Sequence, residues 1–547
     1  MNLKAKIGQM IVVRASGHLF DSQRLYPQWE ADNQTLKRWL QELNLGGVIL
    51  LGASSVELQA RSSQLQAWAN TPLLIAADIE EGVGQRFAGL TWLPPPMALS
   101  EIAEKDLDLA QQYAHQMGAV TAQEAVSIGI NWLLAPVVDV NNNPENPVIN
   151  IRAFGDRPEI VSLLTSAFIE GAKSAPILTT AKHFPGHGDT ATDSHLDLPV
   201  LNHDVARLEK IELPPFKSAI ASGVDSVMTA HLTIPVWDSE QPATLSKVIL
   251  TGKLRQEMGF EGLIVTDALI MGGITKYAAP EEVAIRAVES GVDILLMPDD
   301  PEVAINSIFA AVQAGRLSEE RIEESYERIR LAKEKLDYSQ VSSEAKVKPA
   351  IQLKRSEQGL EVATNILRHS LRSGGDLNHQ SLLQESSPQQ SNNQHFRNLI
   401  VVDDVLNSSF LNLQSSAITI PQQQGYQKQI LDQNSLGLIT KDSRLTLLQI
   451  FIRGNPFRGQ AGLSSEAKEQ YFQLVQGDRL RAIIVYGSPY VLDWFLELIP
   501  ANLPWVFSYG QMDIAQKITL NALFGKTKTE TQADKLENVS RVTDFGF

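Results

Sequence analysis

One segment of the chain, residues 182–195, concentrates side chains that can transfer protons or bind polar ligands. Its sequence KHFPGHGDTATDSH contains a lysine, three histidines and two aspartates, with glycines and a proline that interrupt regular structure. It follows an apolar, β-branched run at 177–181 that is typical of a strand. Because active sites are frequent on loops that leave strand ends, the segment indicates a catalytic or binding loop rather than a solvated one.

Within this loop, Asp193 and His195 stand two positions apart, separated by Ser194. In an extended segment their side chains face the same way. The carboxylate can then accept from one ring nitrogen, fix the tautomer and raise the basicity of the other nitrogen. Such a pair is a competent general acid–base, and the alternative is a turn with a surface histidine.

A third candidate, Asp267, ends the apolar run GLIVTD at 262–267. An aspartate held by a buried strand suits a nucleophile, which must keep a fixed distance from the reacting carbon. The alternative is a helix N-cap or a turn, since aspartate favours both. His231 is a weaker candidate that either lines the pocket or caps the sixth strand. Charged residues at or near strand ends are candidates for binding a polar ligand: Asp78, Arg86, Arg152, Lys182 and His183.

The elements that must position these residues alternate between apolar strands and amphipathic helices over residues 1–337. Eight strands separated by helices predict a (β/α)₈ TIM-like barrel, with an open doubly wound sheet as the alternative. Polar residues at several strand ends favour the barrel, because its strand ends converge on one face. The strands are predicted at 11–14, 47–51, 73–78, 132–139, 177–182, 226–231, 263–267 and 294–297.

A change of composition separates this region from a second one. Residues 338–395 are predicted to be a linker with a low-complexity segment rich in Gln, Ser and Asn, interrupted by a short helix at 360–371. Apolar strands return at 399–402, 445–452, 482–486 and 505–508. Residues 396–547 therefore predict a smaller C-terminal α/β domain, a three-layer sandwich.

Charge and composition restrict the partners. The 547-residue chain has 47 basic and 63 acidic residues, a formal charge of −16, which disfavours nucleic acid and anionic membranes. It has no cysteine, so thiolate chemistry and disulfides are excluded. The first residues lack the long apolar run of a signal peptide or membrane span, so we expect a soluble, cytoplasmic protein. The oligomeric state is left open.

The residues together resemble family 3 glycoside hydrolases, in particular the β-N-acetylglucosaminidase (NagZ-like) branch. The resemblance covers the whole predicted barrel and includes its most specific block, KHFPGHG at 182–188. The C-terminal region is similar to the α/β sandwich of two-domain members. The other matching segments are DSH at 193–195, TD at 266–267, APVVDV at 135–140 and RAFG at 152–155.

The resemblance implies roles for individual residues. Asp267 corresponds to the nucleophile, His195 to the histidine acid–base and Asp193 to its partner. The implied reaction is retaining exo-hydrolysis of terminal β-linked N-acetylglucosamine, without metal or cofactor, on peptidoglycan-derived or chitin-type oligosaccharides. For a cytoplasmic member it further implies peptidoglycan recycling. The residues that correspond to positions binding the sugar ring are Asp78, Arg86, Arg152, Lys182 and His183.

The chain departs from the family at one loop. The family pattern Asp-x-Glu-Gly-Gly-Arg is replaced by a sequence in which Glu81 stands for a glycine and Val83 for an arginine. We expect this change to affect substrate choice rather than the catalytic residues.

Four other functions remain alternatives. Phosphorolysis is one, because a neutral histidine does not repel phosphate. β-Glucosidase activity on the same site and a catalytically silent sugar-binding protein are two more. The fourth is a metal-dependent hydrolase, for which the loop offers His183, His187, Asp189 and His195 as ligands.

Overall fold

The computed structural model describes residues 1–190, 194, 196–336, 356–377, 382, 396–404, 408–439, 442–454 and 461–525. The chain forms two compact units. The first contains Met1–Ser370 together with Gly454–Gly462, and the second contains Leu371–Arg453 and Leu463–Phe547. Among the described residues, no helix is both long and apolar enough to cross a bilayer.

The first unit is built around a closed barrel of parallel strands, so the predicted TIM-like barrel is confirmed. Strand β1 pairs with both β2 and β8, and the pairing continues from β2 to β4 and from β5 to β7. Parallel bridges between Trp132 and Leu178 and between Val265 and Ile294 join the two sheets. The strands are Ile11–Ser16 (β1), Gly47–Leu51 (β2), Leu74–Ala77 (β3), Trp132–Leu133 (β4), Thr180–Phe184 (β5), Ser226–Thr229 (β6), Leu263–Val265 (β7) and Leu295–Leu296 (β8).

The strands are almost wholly buried, because their outer faces are covered by helices and their inner faces fill the barrel. Aspartate or serine N-caps begin several helices, among them α3, α5 and α12, and satisfy their free backbone N–H groups. The helices are Leu3–Gln9 (α1), Asn33–Arg38 (α2), Ser55–Trp68 (α3), Met97–Ala103 (α4), Leu107–Ser127 (α5), Pro158–Ala172 (α6), Val205–Arg207 (α7), Leu213–Ala221 (α8), Gly272–Thr275 (α9), Pro280–Ser290 (α10), Pro301–Gln313 (α11), Glu319–Glu334 (α12) and Glu357–His369 (α13).

The region predicted as a linker contains ordered elements on both sides of the unit boundary. Helix α13 belongs to the first unit and is tied to α5, since Ser356 Oγ donates to Glu124 Oε1 over 3.0 Å and Tyr113 Oη lies 3.0 Å from His369 Nδ1. Strand β9 (Arg372–Gly374) belongs to the second unit. The Gln- and Ser-rich stretch lies outside the described residues, apart from Leu382.

The second unit is the smaller α/β domain that the sequence predicts. Its sheet has the order β11-β10-β12-β13-β14-β9, parallel except for β9. Strand β12 is fully buried and β13 mostly so, which requires cover on both faces of the sheet. Its further elements are Phe396–Val402 (β10), Tyr426–Leu431 (β11), Thr446–Ile452 (β12), Leu480–Gly487 (β13), Trp505–Ser508 (β14), Ser416–Gln423 (α14), Ser465–Gln476 (α15), Pro489–Leu496 (α16) and Asp513–Phe524 (α17).

Candidate active site

The carboxyl ends of four barrel strands bring four of the predicted site residues, together with Asp139, to one face. Asp78 directly follows β3, Lys182 and His183 lie within β5, and Asp267 lies two residues beyond β7. Asp139 lies beyond the end of β4, close to the parallel bridge that joins Val137 to Lys182. In a parallel barrel these ends share one face, so the five side chains belong to the same site.

Lys182 lies between two carboxylates. Its Nζ is 2.8 Å from Asp78 Oδ1 and 2.6 Å from Glu80 Oε1. Arg152 donates to both Glu80 oxygens over 2.8 Å each and also to the Val148 carbonyl. The side chains of Lys182 and Glu80 are each 2% exposed, whereas that of Asp78 is 38% exposed. Asp78 is therefore the accessible carboxylate of this cluster, and the buried Glu80 holds the two cations behind it.

The charge states of this cluster follow from its pairing. Burial opposes the charged form of Glu80, but Arg152 and Lys182 together hold its pKa well below the usual range. Burial likewise disfavours charge on Lys182, yet Asp78 and Glu80 raise its pKa. Glu80, Arg152 and Lys182 are thus all ionised at neutral pH and form a rigid, charge-paired cluster next to Asp78.

Glu80 was missed as a site residue by sequence reasoning. The signal was its position two residues after Asp78, in the part of the loop that still follows the family pattern. The two residues that depart from the family pattern, Glu81 and Val83, are both buried. The Glu81 side chain is buried and accepts from Trp92 Nε1 over 3.0 Å, and Val83 is fully buried. The changed residues thus pack inside the loop.

Arg86 takes a different position from the other binding candidates. It is exposed, and its Nε donates to the Asp78 carbonyl over 2.9 Å. It supports the backbone of Asp78 without an ion pair to the Lys182 cluster.

His183 is oriented by Asp139. Its Nδ1 lies 2.8 Å from Asp139 Oδ2, and its backbone N–H donates to the same oxygen over 3.1 Å. Because a carboxylate accepts, Nδ1 carries a proton in this contact. Asp139 is fully buried, but the two nearby histidines, His183 and His187, lower its pKa against the cost of burial. The sequence predicts Asp139 as the last residue of the strand at 132–139 but does not indicate this role.

The middle of the loop is tightly packed. The His187 ring is buried and its Nδ1 lies 2.6 Å from Thr190 Oγ1. Asn146 Nδ2 donates to the carbonyls of His187 and Gly188 over 2.8 and 3.0 Å. A Cβ atom on Gly188 would come within 1.8 Å of the Val140 carbonyl oxygen, so only glycine fits there. The loop is therefore pinned to the segment that follows β4, at Val140 and Asn146.

Asp267 is half-buried, and its Oδ1 accepts from the backbone N–H of Ala268 over 2.7 Å. His231 is fully buried and donates from Nε2 to the Ala268 carbonyl over 3.1 Å, while its Nδ1 lies 2.8 Å from Thr244 Oγ1. His231 therefore supports the backbone beside Asp267 and lies below the site surface.

The predicted acid–base pair, Asp193 and His195, lies outside the described residues. Of the loop histidines proposed as metal ligands, His183 faces Asp139 and His187 faces a hydroxyl group, while Asp189 pairs with His203 and Arg207. Within the described part of the chain, no three His, Asp or Glu side chains converge as a metal site.

Comparison with known proteins agrees with this geometry. The model "Glycosyl hydrolase family 3 N terminal domain" matches residues 2–332, and "Bacterial Glycosyl hydrolase family 3 C-terminal domain" matches residues 389–525. A solved structure of a glycoside hydrolase family 3 beta-N-acetylglucosaminidase from Paenibacillus sp. str. FPU-7 is 27% identical, with a TM-score of 0.77, over 96% of this chain and 97% of that one.

Two relatives are similar in sequence. Beta-hexosaminidase A of Pseudoalteromonas piscicida is 33% identical over 375 residues, which is 61% of this chain and 62% of that protein. Beta-hexosaminidase of Nitrosomonas eutropha is 35% identical over 287 residues, which is 51% of this chain and 82% of that protein. The match thus spans less than two thirds of the Pseudoalteromonas protein. Because the N-terminal family model alone covers more than half of the sequence, this chain belongs to glycoside hydrolase family 3.

Proposed function

We propose that this chain is a retaining exo-β-N-acetylglucosaminidase that removes terminal β-linked N-acetylglucosamine from oligosaccharides. The observation that carries the proposal is the half-buried carboxylate of Asp267 on the same barrel face as the Lys182–Asp78 pair. A nucleophile and a charged sugar-binding cluster on one rigid face suit glycosyl transfer. The names of the relatives supply the choice of sugar.

The reaction proceeds in two steps. Asp267 attacks the anomeric carbon, the bond from that carbon to the leaving oxygen breaks, and a covalent glycosyl-enzyme forms. His195, with Asp193 as its partner, gives its proton to the leaving oxygen. It then takes a proton from the incoming water, which releases the sugar and frees Asp267.

The charged cluster holds the sugar ring during both steps. Asp78 accepts from ring hydroxyl groups, Lys182 donates to them, and His183, oriented by Asp139, contacts the ring beside them. Their rigid pairing means that little reorganisation is needed when the substrate binds.

Substitution of the two catalytic candidates separates their roles. Asp267→Ala is expected to lose about 10³-fold or more in kcat with its melting temperature unchanged, because the covalent step is lost. His195→Ala is expected to lose about 10²–10⁴-fold on poor leaving groups and far less on activated aryl glycosides, which need no proton. Steady-state kinetics on a series of aryl glycosides measures both. Near-normal turnover by Asp267→Ala, or equal losses for His195→Ala on all substrates, would contradict the assignments.

The choice of sugar is tested with a pair of aryl β-glycosides that differ only at the 2-substituent, acetamido or hydroxyl. We expect kcat/KM to favour the acetamido substrate by about 100-fold, since a missing polar contact costs about 2–3 kcal/mol. Preference for the hydroxyl substrate would indicate a β-glucosidase. Sugar 1-phosphate formed in phosphate buffer would indicate a phosphorylase. No turnover of either substrate would indicate a sugar-binding protein.

We further propose that the natural substrates are peptidoglycan-derived fragments hydrolysed in the cytoplasm. The support is the resemblance of the loop 182–195 to the branch that recycles such fragments. Release of N-acetylglucosamine from muropeptides at a kcat/KM well above that on chitin oligosaccharides would favour this substrate, and the reverse order would exclude it.

A further inference from the structure

Ser194, the residue between Asp193 and His195, is held on two sides. It is buried, with 2% of its surface exposed. Its Oγ lies 2.9 Å from His187 Nε2, and its carbonyl accepts from the backbone N–H of Gly273 over 3.2 Å. Ser194 stands between the two members of the proposed acid–base pair in the sequence, so its contacts act on the segment that carries the pair.

The donor in the hydrogen bond between Ser194 and His187 can be identified from the hydroxyl group of Thr190. Thr190 Oγ1 donates to the His187 carbonyl over 3.1 Å, so it can only accept from Nδ1 of the same histidine. His187 is then protonated at Nδ1, and its Nε2 accepts from the Ser194 hydroxyl. Burial lowers the pKa of His187 to about 4, so this neutral form persists over the working pH range.

The second set of contacts comes from the loop that follows Asp267. Gly273 donates to the Ser194 carbonyl, and Lys276 Nζ donates to the Leu196 carbonyl over 2.7 Å. A Cβ atom on Gly273 would lie 2.9 Å from the Ser194 carbonyl oxygen, so the two backbones approach closely. The residues on either side of His195 are thus bound by the loop that begins at the proposed nucleophile.

We propose that Ser194 and His187 are positioning residues that fix the acid–base segment relative to Asp267 through the hydrogen bond from Ser194 Oγ to His187 Nε2. The proposal rests on the proposed function, in which His195 is the acid–base. Asp139 and Asn146 hold the backbone of His187 from the strand side. The contact therefore links the proton-transfer segment to the rigid barrel rather than to solvent.

Three variants test this contact. Ser194→Ala removes the hydroxyl. His187→Asn places an amide at the position of Nδ1 and loses the hydrogen bond with Ser194. His187→Gln places an amide at the position of Nε2 and keeps an acceptor for the Ser194 hydroxyl. We expect Ser194→Ala and His187→Asn to lower kcat on poor leaving groups by about 10–100-fold, part of the usual general acid–base contribution of about 10²–10⁴. On activated aryl substrates we expect losses below about threefold. His187→Gln should recover most of the difference.

The ratio of kcat on poor and activated leaving groups is the decisive measurement, because partial unfolding lowers both rates equally. Ser63→Ala is the matched control, since its exposed hydroxyl donates to the Gln59 carbonyl within α3. In the double variant Ser194→Ala/His187→Asn the losses should not add, because both remove one contact. An unchanged ratio in Ser194→Ala, with a changed ratio in His195→Ala, would overturn the positioning role and leave the proposed function intact. An unchanged ratio in His195→Ala would overturn both.

Discussion

At the residue scale, Glu80 determines the electrostatics of the proposed sugar site. Its buried carboxylate holds Arg152 in a two-bond pair and also holds Lys182, which faces Asp78. Removing a partner from a buried pair costs about 3–5 kcal/mol, because a desolvated charge is left behind. A residue behind the binding surface therefore controls the charge and orientation of the residues on it.

Glu80→Gln tests this control. At pH 7 we expect a loss of about 3 kcal/mol in the free energy of unfolding and a higher KM, because Arg152 and Lys182 lose a charge partner. The pKa of Glu80 is lower in the folded than in the unfolded chain. Its stabilising contribution is thus present above the unfolded pKa of about 4.3 and is lost as the pH falls through the folded value. Urea unfolding at several pH values measures the effect.

The matched control is Glu170→Gln, which removes a carboxylate from an exposed pair with Lys173. An exposed pair contributes about 0–1 kcal/mol, so this variant should remain close to the parent protein. If Glu80→Gln resembled Glu170→Gln in stability and KM at neutral pH, the proposed electrostatic role of Glu80 would be wrong.

The candidate site could be predicted in part from the sequence. Asp78, Lys182 and His183 were identifiable because polar residues end apolar strands that must converge in a barrel. Arg86 could not be distinguished from them, because its contact with a backbone carbonyl depends on the course of the loop. His231 could not be assigned for the same reason, since its partner at Ala268 is 37 residues away.

At the element scale, helix α12 is joined to the start of the barrel by a buried lysine. Lys333 Nζ donates to Gln9 Oε1 over 2.7 Å, and Gln9 Nε2 donates to the Asn44 carbonyl and to Thr71 Oγ1. Gln9 ends α1, and Asn44 and Thr71 precede β2 and β3. The side-chain amide of Gln9 thus joins α12 to three segments at the amino ends of the strands.

Lys333→Met should change how stability depends on pH. Burial lowers the pKa of Lys333 to about 7, from an ordinary value of 10.5. Between these values the unfolded chain binds the proton and the folded chain does not, so the lysine increasingly penalises folding as the pH falls from about 10 to 7. We expect the variant to be more stable than the parent by about 1–3 kcal/mol at pH 7, with little difference near pH 10.

The measurement is the unfolding free energy of both proteins in urea from pH 7 to pH 10. Lys335→Met is the control, because that lysine is exposed and pairs with the largely buried carboxylate of Asp225. A difference between Lys333→Met and the parent that stays constant across this pH range would contradict a buried, neutral lysine.

Strands could be predicted from the sequence where the apolar residues are also the buried ones. Most of the barrel strands lie close to the predicted positions because they are buried on both sides and read as continuous apolar runs. The exception is β4, which ends at Leu133 although the sequence predicts a strand to residue 139. Strand β11, Tyr426–Leu431, was missed because it lies at the sheet edge and its middle residues are polar. The short strand β9 has no buried residue and gives no apolar signal.

At the scale of the whole molecule, the two units have separate cores. In the second unit, buried residues of β10, β12 and β13 pack with α14 and α17. The order of these units and the closed barrel could be predicted from strand count and spacing. The boundary between them could not, because the composition of residues 338–395 suggested a linker, whereas α13 folds with the barrel.

The assignment of Gly454–Gly462 to the first unit makes that unit discontinuous in sequence. The chain passes from one unit to the other after residues 370, 453 and 462. A gene shortened after residue 370 would encode every barrel strand and α13 yet omit the described residues Gly454, Ala461 and Gly462 of the same unit. A Cβ atom on Gly454 would lie 3.0 Å from the Cβ atom of Asn150. Recombination at a single crossover therefore cannot transfer the complete first unit without part of the second.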